Sequence, residues 1–99
     1  MFVVVATFSI KPGHEQAFFD RVRQQAADSL AREPDCHQFD VCHPAGDRST
    51  VLLYEIYSDE AAFKAHLASG HFKDFDARVG AWVAGKKVET WVRAEPAGQ

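Results

Sequence analysis

The stretch that most constrains this chain runs from Tyr54 to Phe75, YEIYSDEAAFKAHLASGHFKDF, because its residue pattern changes character twice within a short run. Val51 to Tyr57 (VLLYEIY) is dense in β-branched and aromatic residues, the composition of a strand. Ser58-Asp59-Glu60 then supplies a helix start, a polar cap followed by acids that favour the positive end of the helix dipole. Phe63, His66 and Leu67 follow at i, i+3 and i+4, so His66 shares a stripe with two apolar residues. Ser69-Gly70 interrupts this helix. Ser69 caps a second one whose apolar positions, Phe72, Phe75, Val79 and Trp82, are spaced 3, 4 and 3. One imidazole is thus placed on a buried-looking helix face and another, His71, in the first turn of the next helix.

The remaining elements follow from the same periodicities. Phe2 to Ile10 reads as a strand, with Phe2, Val4, Ala6, Phe8 and Ile10 on one face, and Pro12-Gly13 turns the chain. Glu15 to Arg32 is a long helix with Phe18, Val22, Ala26 and Leu30 at i+4 steps, widened by Phe19. Glu33-Pro34-Asp35 stops it, because proline cannot continue a helix. Cys36 to His43 is the second strand, and Pro44 to Arg48 is a hairpin loop to the third, Ser49 to Tyr57. Ala84-Gly85 closes the last helix, and Lys86 to Arg93 is the fourth strand. The order β-α-β-β-α(α)-β predicts an α+β, ferredoxin-like split βαβ fold: a four-stranded antiparallel sheet with helices on one face. Its other face would show Val3 and Val5 to water, so a second copy is expected to cover it.

Residues 1–99 are read as one domain, with a core over about 2–93 and a polar tail over 94–99. A chain of this length buries roughly 60–70% of its unfolded surface, which favours an oligomer if the interior also holds a ligand. Net charge is −3 with Lys and Arg scattered, which argues against a nucleic-acid surface. No run approaches the roughly 20 apolar residues of a membrane span. Cys36 and Cys42, six apart in one strand, would stand roughly 20 Å apart, beyond disulfide reach. Free thiols and the lack of an export signal point to the cytoplasm.

Lys11-Pro12-Gly13-His14-Glu15, then EPDCHQFDV, YEIYSDEAAFKAH and SGHF, resemble in order and spacing the antibiotic biosynthesis monooxygenase family. The resemblance covers residues 2 to 93, and Glu33 to Phe72 is its most specific part. It implies a homodimeric α+β barrel with a small-molecule pocket in each subunit between sheet and helices. It also implies one of several reactions. The leading expectation is a cofactor-independent monooxygenase that oxidises a quinol-like aromatic with O2. The alternatives are an isomerase of a phosphorylated autoinducer-2-like ketone, with Lys64, Lys73 or Arg78 on the phosphate, and a non-catalytic binding protein. The haem-degrading branch uses a tryptophan and an axial histidine where this chain has His66 and Asp76, which does not suit haem. No cofactor is expected.

Each candidate has a bland reading beside the sharp one. His66 is either a core histidine bonded to backbone or the base that takes a phenolic proton, with Glu55 or Asp76 near it as acceptor. His71 either covers a helix end or faces the pocket as a neutral imidazole. Glu55 is a candidate base, but a cross-strand or dimer-interface ion pair is the simpler reading. Phe8, Phe39, Tyr54 and Trp82 are expected as apolar walls. Phe72 is core that could also line the cavity. On a continuous helix His66 and His71 would point about 140° apart, so a two-histidine metal site is not supported, although the break at Gly70 leaves it open.

Overall fold

Alternation in the first strand decides which face of the sheet is covered. The computed structural model describes residues 1–98. Its elements are β1 (Phe2–Ile10), α1 (Glu15–Arg32), β2 (Cys36–Cys42), β3 (Thr50–Tyr57), α2 (Glu60–Ala68), α3 (Gly70–Val79), one 3-10 turn (Gly80–Trp82) and β4 (Val83–Val92). The four strands pair antiparallel in the order β2-β3-β1-β4, the split βαβ arrangement that the element order predicts. Val4, Ala6, Phe8 and Ile10 enter the core together with Val51, Leu53, Tyr57 and Phe39. The opposite face carries Val3, Val5 and Thr7 beside Ile56, Tyr54 and Leu52, their register partners on β3. Residues 93–98 are exposed and form no helix or strand, while Gln99, the last residue of the expected tail, lies outside the described residues.

The stripe on α1 departs from simple i+4 steps in an informative way. Each such step overshoots a turn by about 40°, so Leu30 lies roughly 120° round from Phe18. Leu30 is accordingly 48% exposed, while the buried face continues through Gln25 and Ser29. Burying two polar side chains requires partners. Ser29 Oγ donates to the Gln25 carbonyl at 2.8 Å, and the Gln25 amide faces the candidate site.

The last helix ends earlier than its apolar spacing suggests. α3 stops at Val79, and Ala84-Gly85, expected to close it, already belongs to β4. Ile10 pairs with Val83 beyond a bulge at Ser9/Ile10, and Lys11 N–H donates to the Trp82 carbonyl at 2.8 Å. Those ladder bonds with β1 take the backbone groups that another helical turn would use. Trp82 is left in the 3-10 turn, stacked on His14 at 6.3 Å between ring centroids.

Two side chains set the geometry between β3 and α3. Asp59 caps α2, accepting from Ala62 N–H at 2.8 Å. Ser69 then serves two helices at once. Its Oγ donates to the His66 carbonyl at 2.7 Å, closing α2, and accepts from Phe72 N–H at 3.2 Å, opening α3. Its backbone is extended (φ −69°, ψ 149°), so the axis turns at this residue. Ser69→Ala is expected to lower the unfolding free energy by about 1–2 kcal/mol, read from urea denaturation at unchanged m-value. A loss within experimental error would mean that the hydroxyl does not hold the junction.

Candidate active site

The turn at Ser69 brings together what a continuous helix would separate. The His66 and His71 rings lie 5.8 Å apart at 67° to one another, and both face Glu33. Glu33 ends α1 in an extended conformation (φ −114°, ψ 103°), as expected of a residue that precedes proline, and its side chain reaches α2 and α3. Its Oε2 lies 2.8 Å from His66 Nδ1, in hydrogen-bonding geometry, and 2.7 Å from His71 Nε2. The second contact is close but not aligned for a hydrogen bond. On its far side, His71 Nδ1 meets Gln25 Nε2 at 3.1 Å. With that amide donating, the His71 ring proton falls on Nε2, toward the carboxylate.

A cavity of about 40 Å³ lies between the sheet and the helices. Its walls are mostly apolar, with Val4, Phe8, Phe39, Leu53, Phe72 and Phe75 among them, and its polar groups are Gln25, Glu55, His66 and Lys86. Leu67 and Val88 also line it and are 39% and 46% exposed, so the cavity reaches the surface between α2 and β4. His66 is 3% exposed. Since Glu33 occupies Nδ1, Nε2 is the ring nitrogen left for the cavity. Burial lowers its pKa from the ordinary imidazole value, opposed by the hydrogen bond and charge of Glu33 and assisted by His71.

Glu55 is also buried, and Tyr57 Oη donates to its Oε1 at 2.6 Å. Burial pushes its pKa up to about 7. The Tyr57 hydrogen bond and Lys86 pull it back, and the Glu33 charge raises it further. Tyr57 itself is held far above the ordinary phenol range by burial and by Glu55, so it remains a donor. Cys36 is pushed up to about 12 by burial, then by Glu33 and Glu55, which makes it an inert thiol rather than a nucleophile.

Of the candidate wall residues, Phe8, Phe39 and Phe72 line the cavity. Tyr54 does not: it lies on the opposite face of the sheet, paired with Val5 and Asp40. Trp82 is also absent from the lining. Glu55 faces inward rather than joining a cross-strand or interface ion pair. Asp76 is exposed, 4.0 Å from Lys86. Glu33, Gln25, Tyr57 and Lys86 are site residues that the sequence reading left out. Glu33 reads as a helix stop because Pro34 follows it. Gln25 carries a signal in its i+7 spacing from Phe18.

Glu33, His66 and His71 offer three ligand atoms within 4.8 Å of one another, a grouping the 140° argument did not anticipate. Two ligands at 2.0–2.1 Å from one tetrahedral ion stand about 3.3 Å apart. The N···O separations of 2.8 and 2.7 Å fall short of that. The arrangement is that of a carboxylate held between imidazoles, and an ion would first have to push the Glu33 oxygen away.

Comparison with known proteins points to one family. The model for antibiotic biosynthesis monooxygenase matches residues 1–78. The Bacillus subtilis (strain 168) protein named Putative monooxygenase YcnE is 31% identical over 78 residues, covering 79% of this chain and 81% of that protein. The structure of a putative antibiotic biosynthesis monooxygenase from Nitrosomonas europaea superposes with a TM-score of 0.89 at 27% identity, over 96% of this chain and 100% of that one. PA3566 from Pseudomonas aeruginosa gives a TM-score of 0.86 at 26% identity, over 95% and 94%.

The raised Glu55 pKa has a measurable consequence. The unfolded chain ionises this carboxyl near 4.5 and the folded chain near 7. The stability tied to Glu55 is therefore fully present below about pH 4.5 and lost as pH rises through 7. His66, with a lowered pKa, acts oppositely and costs stability as pH falls below 6.5. Glu55→Gln isolates the first effect. Its unfolding free energy relative to the parent is expected to rise by at most about 3 kcal/mol between pH 4.5 and 8; a flat difference would show that Glu55 is not perturbed.

Proposed function

Because the chain belongs to the antibiotic biosynthesis monooxygenase family, we propose that it oxidises a small electron-rich aromatic, a quinol, with O2 in the cavity between sheet and helices, without a cofactor. The observation that carries this reading is the cavity itself: apolar walls bearing one buried imidazole with a nitrogen facing inward and one carboxyl poised near pH 7. A quinol needs little more from a protein. His66 Nε2 takes a phenolic proton, and the resulting anion passes one electron to O2. Superoxide and the aryloxyl radical then combine, forming a bond between oxygen and a ring carbon. Cleavage of the O–O bond, with return of the proton and loss of the ring hydrogen, leaves a hydroxyquinone and one water. The quinol and O2 atoms are thereby fully accounted for. Lys86 supplies positive charge toward the phenolate, and protonated Glu55 donates to the second oxygen.

At about 40 Å³ the cavity takes a water or O2, whereas benzene occupies an engineered cavity of roughly 150 Å³. An aromatic substrate therefore enters by displacing the exposed rim, Leu67 and Val88. The isomerase alternative has less support. Lys64 pairs with Glu60 on the surface. Lys64, Lys73 and Arg78 are all absent from the cavity, and among the described residues Lys86 is the one lysine or arginine lining it. A purely binding role leaves a carboxyl near pH 7 inside an apolar cavity without a purpose.

The working unit in this reading is a homodimer. Val5, Leu52, Tyr54 and Trp91 give the sheet a partly exposed apolar face without a helix on it, and Trp91 is 56% exposed, whereas Val3 and Ile56 on the same face are already buried within one chain, Val3 against the expectation that it would face water. Val88 and Val92, 46% and 78% exposed, lie on the other, inner side of β4, opposite Ala6 and Phe2, and are not part of this face. Monomers rarely leave such a surface to water.

Metal-free protein is expected to take up O2 with a panel of quinols above the uncatalysed rate. His66→Gln should lower kcat/KM by roughly 10²–10⁴; parent-like turnover across pH 5–8 in a folded variant would remove His66 as the base. Light scattering at micromolar concentration should return the mass of a dimer, and a monomeric mass would contradict the assembly.

A further inference from the structure

We propose that Glu33 is a positioning residue that makes His66 a base: it holds the Nδ1–H, fixes Nε2 as the basic atom in the cavity, and stabilises the imidazolium formed when a substrate proton arrives. This rests on the oxygenase reading for the identity of the proton, and on geometry for the rest. The His66 Nδ1 to Glu33 Oε2 distance of 2.8 Å is that of a charge-assisted hydrogen bond. The His66 ring packs against Tyr57, Phe63 and Phe72 at 5.4, 6.2 and 5.1 Å between centroids, and among the described residues Glu33 is the one hydrogen-bond partner of its ring. Without Glu33, the proton on a neutral ring could sit on either nitrogen, and half the logic of the site would be lost.

Glu33 is in turn held. His71 Nε2 approaches the same oxygen at 2.7 Å, and Gln25 meets His71 Nδ1 from α1. Two side chains, His71 from α3 and behind it Gln25 from α1, therefore back one carboxylate whose purpose lies on α2. The titratable groups facing this dyad are Cys36 from β2, Glu55 and Tyr57 from β3, His71 from α3 and Lys86 from β4. Glu33 also borders a surface hollow with Arg32, Pro34, Asp35, Ala62 and Ala65, so its place is reachable from solvent on the side away from the cavity.

The test uses full-length protein and three variants. Glu33→Gln should keep the fold and the apparent KM for the quinol while kcat falls roughly 10²-fold, and Glu33→Asp should restore part of it. Glu33→Ala should be equally impaired and regain activity with added formate, which fits the hollow, but not with chloride. A structural role alone would not respond to formate. Parent-like kcat in Glu33→Gln, with His66→Gln inactive, would overturn the proposal and leave the oxygenase reading standing. If the parent itself takes up no oxygen, that reading falls, and a second measurement decides the dyad alone. The His66 ring is titrated by 13C NMR, and its midpoint should fall by about one pH unit or more in Glu33→Gln. An unchanged midpoint overturns the proposal, as does stoichiometric metal in the purified parent that Glu33→Gln releases.

Discussion

A single carboxylate oxygen, Glu33 Oε2, stands between the imidazoles of His66 and His71, and the rest of the site depends on that contact. An ionised carboxylate 16% exposed is costly to desolvate unless donors meet it. His66 hydrogen-bonds it here and His71 lies against the same oxygen without an aligned hydrogen bond. His66 is left with one nitrogen for the cavity. His71 is turned so that its other nitrogen reaches Gln25, which explains why a glutamine lies on the buried face of α1. The chain achieves this with two local devices, a pre-proline residue that aims Glu33 off the end of α1 and a serine that ends one helix while starting another.

Much of this was legible in the residues. The strands, the long helix and the break at Ser69-Gly70 follow from periodicity and capping, and the alternation of β1 identifies the covered face. The meeting of His66 and His71 was not legible, because spacing five on one helix separates them while one extended residue between two helices does not. Glu33 looked like punctuation for the same kind of reason: its role is defined by a contact 33 positions away in sequence. Tyr54 and Glu55 are neighbours on one strand, so the pleat sends them to opposite faces and only one can serve the cavity. Trp82 and Ala84-Gly85 were misread because ladder bonds to β1 outweigh a helical apolar spacing.

The same accounting explains where the chain is incomplete. α1, α2 and α3 leave the inner side of β4 uncovered, and the cavity reaches solvent at that edge. Glu55 and His66 line the same cavity. Glu55 and His66 have opposite perturbations for one cause, burial, which disfavours the charged form of each. Burial thus shifts each toward its neutral form, a carboxyl that can donate a proton and an imidazole that can accept one.

The account stands most directly on the protonation pattern of two rings. Long-range 1H–15N correlation of the parent at pH 7.5 distinguishes a protonated from a bare ring nitrogen at each histidine. The expected result is His66 protonated at Nδ1 with a bare Nε2, and His71 protonated at Nε2 with a bare Nδ1. A His66 ring carrying its proton on Nε2 would contradict the account, since the nitrogen facing the cavity could then take no proton from a substrate.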